Sequence, residues 1–462
     1  MRKNVIYLTV LSLLFSMISV LPVFGQDMVE IVFLTSENQP ERVERQEAIA
    51  NAFEAENPGI DVIIVPVSEN EQVSFMTVSQ AANTLPDLVL HSVQFTAKWV
   101  ADGAIDADRA TAVIEELGVD TFSSGALALA QVEEGVYGSI PNDGWGQLLL
   151  YRSDLFADAG LAAPDSYENI LAAAESLHAP DSDVIGFCGP NAPDQGYTWQ
   201  TFEHLALANG ATFVDDMGNI TFDSPEMVGA MSFYNDLMSN YGPGETGWFW
   251  DQTRANYLAG RCAMTIWSPF ILDEMAGLRD SAYPSCAECE ENPAFIAENT
   301  DFVGAFTGYD NDVPAAWGST FNVGIAPTAD AEAELFLDFW FNEAYLDTLA
   351  VAPEGKFPMR AGTVDEPTLY LDGWATLDVG VDRRAPLGDF YSAEDLAVIT
   401  GGADGYTKMG FDVGQSGLAS AVGSAFFIQE NLAAYLNGDI SVEEAAENVQ
   451  IEIEDLQLEL DG

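Results

Sequence analysis

The chain has 462 residues, 48% of them apolar, and it carries 74 acidic against 15 basic residues, a formal net charge of −59. Such a charge repels nucleic acids and anionic lipids, which excludes proteins that act by binding either of them. The length allows two or more lobes with buried cores, and the apolar content argues against a disordered chain. The acidic residues are spread without long runs, which favours a solvated surface suited to salty water; a cationic ligand is the alternative interpretation.

The first 25 residues have the pattern of a secretory signal peptide. Arg2 and Lys3 precede an apolar run over residues 5–20, and residues 23–25 end in a small residue before Gln26. The run is long, so a retained membrane anchor is the alternative, and no cysteine lies near the junction to carry a lipid anchor. We therefore expect a protein outside the cytoplasm, either secreted, periplasmic or on the outer face of the cytoplasmic membrane.

The cysteines have a spacing that favours disulfides over a metal site. They are Cys188, Cys262, Cys286 and Cys289. Export permits disulfides, and the short Cys286–Cys289 spacing favours a local one. Zinc would need two further ligands, and none of the three histidines is nearby in the sequence. We predict no metal site and no cofactor, while Cys188 and Cys262 are either paired or buried thiols.

The first part of the mature chain alternates strands and helices. Strands are predicted at residues 29–34, 61–67 and 88–91, with helices from about 41 to 56 and from 71 to 83. This βαβαβ order predicts a parallel sheet with helices on both faces. Ligands bind such sheets at the carboxyl ends of the strands, which brings Glu37, Asn38 and His91 to one mouth.

A second block begins after the strand at residues 136–141. Further strands are predicted at 148–151, 184–187, 262–267 and 321–326, and helices at 167–177, 199–209, 225–241 and 330–341. Residues 283–314, which are rich in Gly, Asn and acids, are predicted to be a loop. Two helices close the chain, and Ser441 with Glu444 forms a capping box for the second.

Several stretches occur in an order and spacing that resemble one family. They are residues 53–62 (FEAENPGIDV), 83–88 (NTLPDL), 138–141 (GSIP), 150–161 (LYRSDLFADAGL), 257–266 (YLAGRCAMTI) and 356–360 (KFPMR). Together they resemble the extracellular solute-binding proteins of ABC importers, in the maltose-binding-protein-like, family 1 sugar-binding group. The chain departs from that pattern at Asn83, where the family usually has Gly, at Arg152, and in an insertion over residues 286–314.

The resemblance implies an α/β, two-lobed periplasmic-binding-protein fold of type II, with the ligand in the cleft between the lobes. Mapping the family's crossovers puts the first lobe at residues 27–139 plus 319–350 and the second at 140–318 plus 351–462. The lobes would close on the ligand by hinge rotation and then present it to a membrane permease.

Aromatic residues at the ends of predicted elements are the main candidates for ligand binding, since flat apolar rings beside polar neighbours suit a small polar ligand. The candidate ligand-binding residues are Glu37, Asn38, His91, Asp143, Trp145, Trp199, Trp250, Trp267, Trp317, Ser319 and Arg360. Each also has a structural interpretation: Glu37 is favoured by a helix dipole, His91 suits a satisfied core position, and Arg360 could pair with an acid.

We therefore predict the substrate-binding component of an ABC transporter that binds a mono- or oligosaccharide. The alternative is a binding protein of the same fold for a cationic or zwitterionic solute such as a polyamine or betaine. No catalytic fingerprint accompanies the acidic residues, so we expect no enzymatic activity. The expected partners are a small-molecule sugar and the permease subunits, with no nucleic acid, and the protein is expected to be a monomer.

Overall fold

The computed structural model describes residues 28–461, so the predicted signal peptide at residues 1–25 lies outside the described part. The strands are β1 (Val29–Thr35), β2 (Ile60–Pro66), β3 (Leu88–Ser92), β4 (Gln131–Glu133), β5 (Val136–Tyr137), β6 (Ile140–Gly146), β7 (Leu148–Arg152), β8 (Ile185–Phe187), β9 (Cys262–Trp267), β10 (Thr300–Val303), β11 (Ala316–Ile325), β12 (Phe357–Pro358), β13 (Asp378–Val379), β14 (Ala385–Pro386) and β15 (Tyr406–Thr407).

Helices cover both faces of the sheets. They are α1 (Pro40–Glu56), α2 (Glu69–Ala82), α3 (Thr96–Ala101), α4 (Ala107–Leu117), α5 (Ser124–Ala130), α6 (Ser153–Ala159), α7 (Tyr167–Leu177), α8 (Gly196–Ala208), α9 (Pro225–Tyr241), α10 (Trp250–Leu258), α11 (Leu272–Met275), α12 (Phe295–Glu298), α13 (Glu332–Asn342), α14 (Tyr345–Leu349), α15 (Leu369–Trp374), α16 (Ala393–Gly401), α17 (Ser416–Ser424), α18 (Phe427–Leu436) and α19 (Val442–Asp461). Within residues 28–461, none of these helices combines the length and the apolar character needed to span a bilayer.

The larger sheet has the strand order β12-β6-β11-β3-β1-β2, and β15 pairs with β11. β1 lies parallel to β2 and β3, which confirms the parallel arrangement predicted for the first part of the chain. β11 runs antiparallel to both β3 and β6. β3 is buried along its whole length, as is typical of a central strand, and its sequence begins with three apolar residues and ends with His91 and Ser92.

The smaller sheet has the order β10-β7-β9-β8, with β9 buried at every position. A disulfide between Cys188 and Cys262 joins the end of β8 to the start of β9. The predicted local disulfide between Cys286 and Cys289 is also present. The prediction of an uninterrupted loop over residues 283–314 is wrong, because β10 lies within it and pairs with β7, a strand distant in the sequence.

The chain passes from the larger to the smaller sheet at Gln147, the residue between β6 and β7, and returns between β10 and β11. The boundaries of the two lobes stay a prediction. β6 and the short β12, which that prediction assigns to the second lobe, both pair within the larger sheet.

At the end of α2, Asn83 adopts a left-handed conformation with φ of 56°. Asn tolerates this conformation better than most residues, which accounts for its place where the family usually has Gly.

Candidate functional site

A cavity of about 290 Å³ lies where the two sheets meet, and it is called the aromatic cavity below. Its lining residues are Trp145, Gln147, Tyr197, Gln200, Trp250, Arg254, Trp267, Ser268, Phe270 and Glu274. The larger sheet contributes Trp145 near the end of β6, and the smaller sheet contributes Trp267 as the last residue of β9. Helices α8 and α10 add half of the remaining lining residues.

Four of the five aromatic residues that line the cavity contact another aromatic ring. Trp145 packs against Trp317 with ring centroids 5.1 Å apart and meets Phe270 at 6.4 Å. Tyr197 meets Trp267 edge to face at 4.9 Å, and its hydroxyl donates to the carbonyl of Ile266 at 2.6 Å. These rings therefore present fixed apolar faces, which suits the C–H surface of a ligand.

One side of the cavity is polar. The guanidinium of Arg254 donates to Glu274 Oε1 at 3.1 Å and to Asp251 Oδ1 at 3.0 Å. Gln147 Nε2 donates to Gln200 Oε1 at 3.4 Å. Burial raises the pKa of Glu274 to about 7, against the opposing charge of Arg254. This wall therefore combines a buried carboxyl group with two amides.

A small second cavity of about 70 Å³ shares Gln200 with the aromatic cavity and is lined by Trp199, Trp317 and Lys408 among others. The indole of Trp317 donates to Glu203 Oε2 at 2.5 Å, and Lys408 Nζ lies 5.2 Å from the Trp317 ring centroid. Burial lowers the pKa of Lys408, although Glu203 acts in the opposite direction. Trp199 and Trp317 thus lie beside the aromatic cavity rather than within its wall.

Glu37 and Asp143 belong to a buried ionic network around Lys356. Lys356 Nζ lies 2.7 Å from Glu37 Oε1 and 3.0 Å from Asp143 Oδ1, and Arg42 pairs with Glu37 Oε2 at 2.7 Å. Burial alone would raise the pKa of Glu37, but the charges and hydrogen bonds of Lys356 and Arg42 hold it at about 2. Burial raises the pKa of Asp143. The network ties the loop after β1 to β6 and to the segment before β12.

The remaining candidates lie apart from the aromatic cavity. Asn38 is exposed, and Ser319 is buried opposite Trp145 in the β6–β11 ladder. His91 is buried against Trp99 with ring centroids 4.8 Å apart, and burial lowers its pKa to about 4. Neither His91 nor Arg360 borders the cavity.

Arg360 is buried, and its guanidinium is held by hydrogen bonds to other residues of the protein. Its guanidinium donates to the carbonyls of Phe341 at 2.7 Å and Leu117 at 2.8 Å, and to Thr121 Oγ1 at 3.0 Å. These acceptors satisfy the hydrogen-bonding capacity of the buried cation. The same hydrogen bonds connect α4 and the residues after it with α13.

The structure also brings in residues that sequence reasoning did not select: Gln147, Gln200, Arg254, Glu274, Lys356 and Lys408. One signal was available, because the two lysines belong to a set of only four in the whole chain. No feature of the sequence distinguishes the two glutamines or the Arg254–Glu274 pair from other residues of the same types.

In residues 28–461, no three His, Cys, Asp or Glu side chains are grouped so as to hold a metal ion.

The chain belongs to the bacterial extracellular solute-binding protein family, whose model matches residues 38–346. It is similar to the putative ABC transporter periplasmic-binding protein YcjN of Escherichia coli (strain K12), with 26% identity over 399 residues, which cover 85% of this chain and 87% of that protein. It is also similar to the mannitol-binding protein of Pseudomonas aeruginosa PAO1, with 23% identity over 350 residues and coverage of 74% and 76%.

Among solved structures, maltose-bound MalE3 of T. maritima superimposes with a TM-score of 0.66 at 18% identity, covering 93% of this chain and 100% of that one. The predicted family and the two-lobed periplasmic-binding fold are therefore confirmed. The protein is the solute-binding component of an ABC transporter.

Proposed function

We propose that the protein binds a neutral sugar or sugar alcohol in the aromatic cavity and delivers it, chemically unchanged, to a membrane permease. The observation that carries this proposal is that both sheets contribute to the cavity wall. Trp145 belongs to the larger sheet and Trp267 to the smaller one. Indole faces cover the apolar C–H surface of a sugar, while the neighbouring amides and carboxyl group reach its hydroxyls.

Two similar proteins support the ligand class. One is named as a mannitol-binding protein, and another was solved with maltose bound. A ligand that contacts both lobes stabilises the closed arrangement, because it has more contacts there than in an open one. Closure then becomes the signal by which the permease distinguishes a loaded from an empty binding protein.

The remaining details of the proposal concern location and assembly. We infer that residues 1–25 direct export, that the mature protein works outside the cytoplasm, and that it acts as a monomer. N-terminal sequencing of exported protein tests the first point, and sedimentation analysis of the purified protein tests the last.

A calorimetric and thermal-shift panel tests the ligand class. The panel contains D-mannitol, D-tagatose and maltose, with putrescine and glycine betaine as charged comparators. A member present at 100 times its dissociation constant should stabilise the folded protein by about 2.7 kcal/mol. Binding should also reduce the radius of gyration measured by solution scattering. The NMR spectrum of ligand recovered afterwards should be the same as that of the ligand added. Stabilisation by putrescine or betaine alone would refute a neutral sugar ligand.

A further inference from the structure

Lys408 has an ammonium group without an acidic partner among the described side chains, in a chain where cations are scarce. The two other lysines within residues 28–461 do form ion pairs, Lys98 with Asp102 and Lys356 with Glu37. No described carboxylate oxygen lies within 4.0 Å of Lys408 Nζ, and no described group accepts a hydrogen bond from it. An ammonium has three N–H donors, and here they are available to a ligand.

The ammonium lies at the small second cavity. Lys408 Nζ is 5.2 Å from the ring centroid of Trp317 and 5.5 Å from that of Phe411, and all three residues line this cavity. Lys408 keeps part of its surface accessible, and its Nζ is not one of the described polar atoms that are sealed within the protein without a partner. The unpaired donors therefore face accessible space beside two aromatic rings.

Glu203 also lines this cavity, but its carboxylate already has other donors. Trp317 Nε1 donates to Glu203 Oε2 at 2.5 Å, and the backbone N–H of Met409 donates to Oε1 at 3.0 Å. Burial lowers the pKa of Lys408, and the charges of Glu203 and Glu69 oppose that effect. The described protein thus stabilises this cation through nearby charge and ring faces, without a hydrogen bond.

The second cavity adjoins the aromatic cavity. Gln200 lines both, and Trp145 of the aromatic cavity contacts Trp317 of the second cavity with ring centroids 5.1 Å apart. Pockets for small ligands typically measure about 300–1,000 Å³, so a space of about 70 Å³ has room for one polar group of a ligand and not for the whole molecule. A ligand in the aromatic cavity is therefore next to the space that Lys408 lines.

We propose that Lys408 is a specificity-determining residue of this site, and that its ammonium donates a hydrogen bond to an oxygen atom of the bound ligand. This inference rests on the function proposed above and adds one requirement, an oxygen with a free lone pair on the part of the ligand that enters the second cavity. A sugar hydroxyl meets this requirement, because it accepts hydrogen bonds as well as donating them. A polyamine does not, because its protonated amines have no acceptor and carry the same charge as Lys408.

Calorimetric titration of the purified protein and three variants with D-mannitol, D-tagatose and maltose tests the inference. Lys408→Met removes the ammonium and keeps an unbranched side chain, and it should weaken binding of a sugar by roughly tenfold or more. Lys408→Gln keeps a neutral N–H donor and should lose less affinity. Lys98→Met is the matched control, because Lys98 is an exposed lysine outside both cavities, and it should bind like the unmodified protein.

Putrescine separates a contact with the ligand from a structural effect of Lys408. The unmodified protein should not bind it. Lys408→Met takes a nearby cation away from Glu203 and Glu69, so this variant should bind the diamine measurably. Damage to the fold would weaken sugar binding without creating diamine binding. Circular dichroism and the unfolding temperature of each variant check the fold directly.

The outcomes separate this inference from the proposed function. If a sugar binds and Lys408→Met retains full affinity, or Lys408→Gln loses as much as Lys408→Met, the role given to Lys408 is refuted while the sugar-binding function stands. Putrescine binding that is the same for the unmodified protein and Lys408→Met refutes that role as well. If no hydroxylated member of the panel binds, the proposed function fails and this inference fails with it.

Discussion

Lys356 Nζ lies 2.7 Å from Glu37 Oε1, and both side chains are less than a tenth exposed. The pair connects the loop after β1 with the segment before β12, which are more than three hundred residues apart along the sequence. Its energetic importance follows from burial, since an unpaired charge at this depth has no solvent to stabilise it.

Replacement of Lys356 by Met should lower the free energy of unfolding by about 3 kcal/mol, because it leaves the Asp143 and Glu37 carboxyl groups without their shared cation. Urea denaturation at pH 7 measures this change. Lys98→Met is the matched control, since Lys98 pairs with Asp102 on the surface. It should change the free energy by less than ~0.5 kcal/mol. Equal effects of the two substitutions would contradict the role given to Lys356.

Glu37 should make the protein sensitive to acid in a defined pH range. Its pKa is lowered from 4.5 to about 2, so its stabilising contribution is complete above pH 4.5 and is lost as the pH falls towards 2. The difference in unfolding free energy between the unmodified protein and Glu37→Gln should therefore shrink across this range, by about 3 kcal/mol in total. A difference that is constant from pH 5 to pH 2 would show that the pKa of Glu37 is not lowered.

Trp250 provides a test of the aromatic cavity that leaves the fold intact. It lines the cavity, yet 56% of its surface is exposed. Trp250→Ala should weaken binding of a sugar by about 1–2 kcal/mol, a factor of roughly 5–30, with little change in unfolding temperature. Phe426→Ala, which removes a 44% exposed ring outside the cavity, should leave the calorimetric affinity unchanged.

The two disulfides should contribute unequally to stability. Cys188 and Cys262 are separated by 74 positions, whereas Cys286 and Cys289 are separated by 3. The loss of chain entropy in the unfolded state gives about 4 kcal/mol for the long loop and about 2 kcal/mol for the short one. Paired Cys→Ala variants compared by chemical denaturation check this order, and a larger loss from the short loop would contradict it.

Local patterns in the sequence were sufficient to predict many strands. The strand predicted at residues 262–267 coincides with β9, because an apolar run there is bounded by polar residues and by Pro269. By contrast, β10 was not predicted. Its stability depends on pairing with β7, and no feature of the local sequence reports that partner.

The same distinction holds for the candidate site. Trp145, Trp250 and Trp267 could be selected because large aromatic residues at element ends are conspicuous in the sequence, and the structure brings all three to one cavity. Glu274 could not be distinguished among 74 acidic residues, since its importance depends on burial and on contact with Arg254. Arg360 was a candidate for ligand binding, with an ion pair to an acid as the alternative, but its carbonyl acceptors at Leu117 and Phe341 become visible only in the folded chain.

Gln147 is the single residue between β6 and β7, and its side chain also forms part of the cavity wall. A molecule bound in the cavity would therefore lie beside one of the two chain segments that connect the sheets, so its arrival could be felt by the backbone there as well as by the walls it contacts.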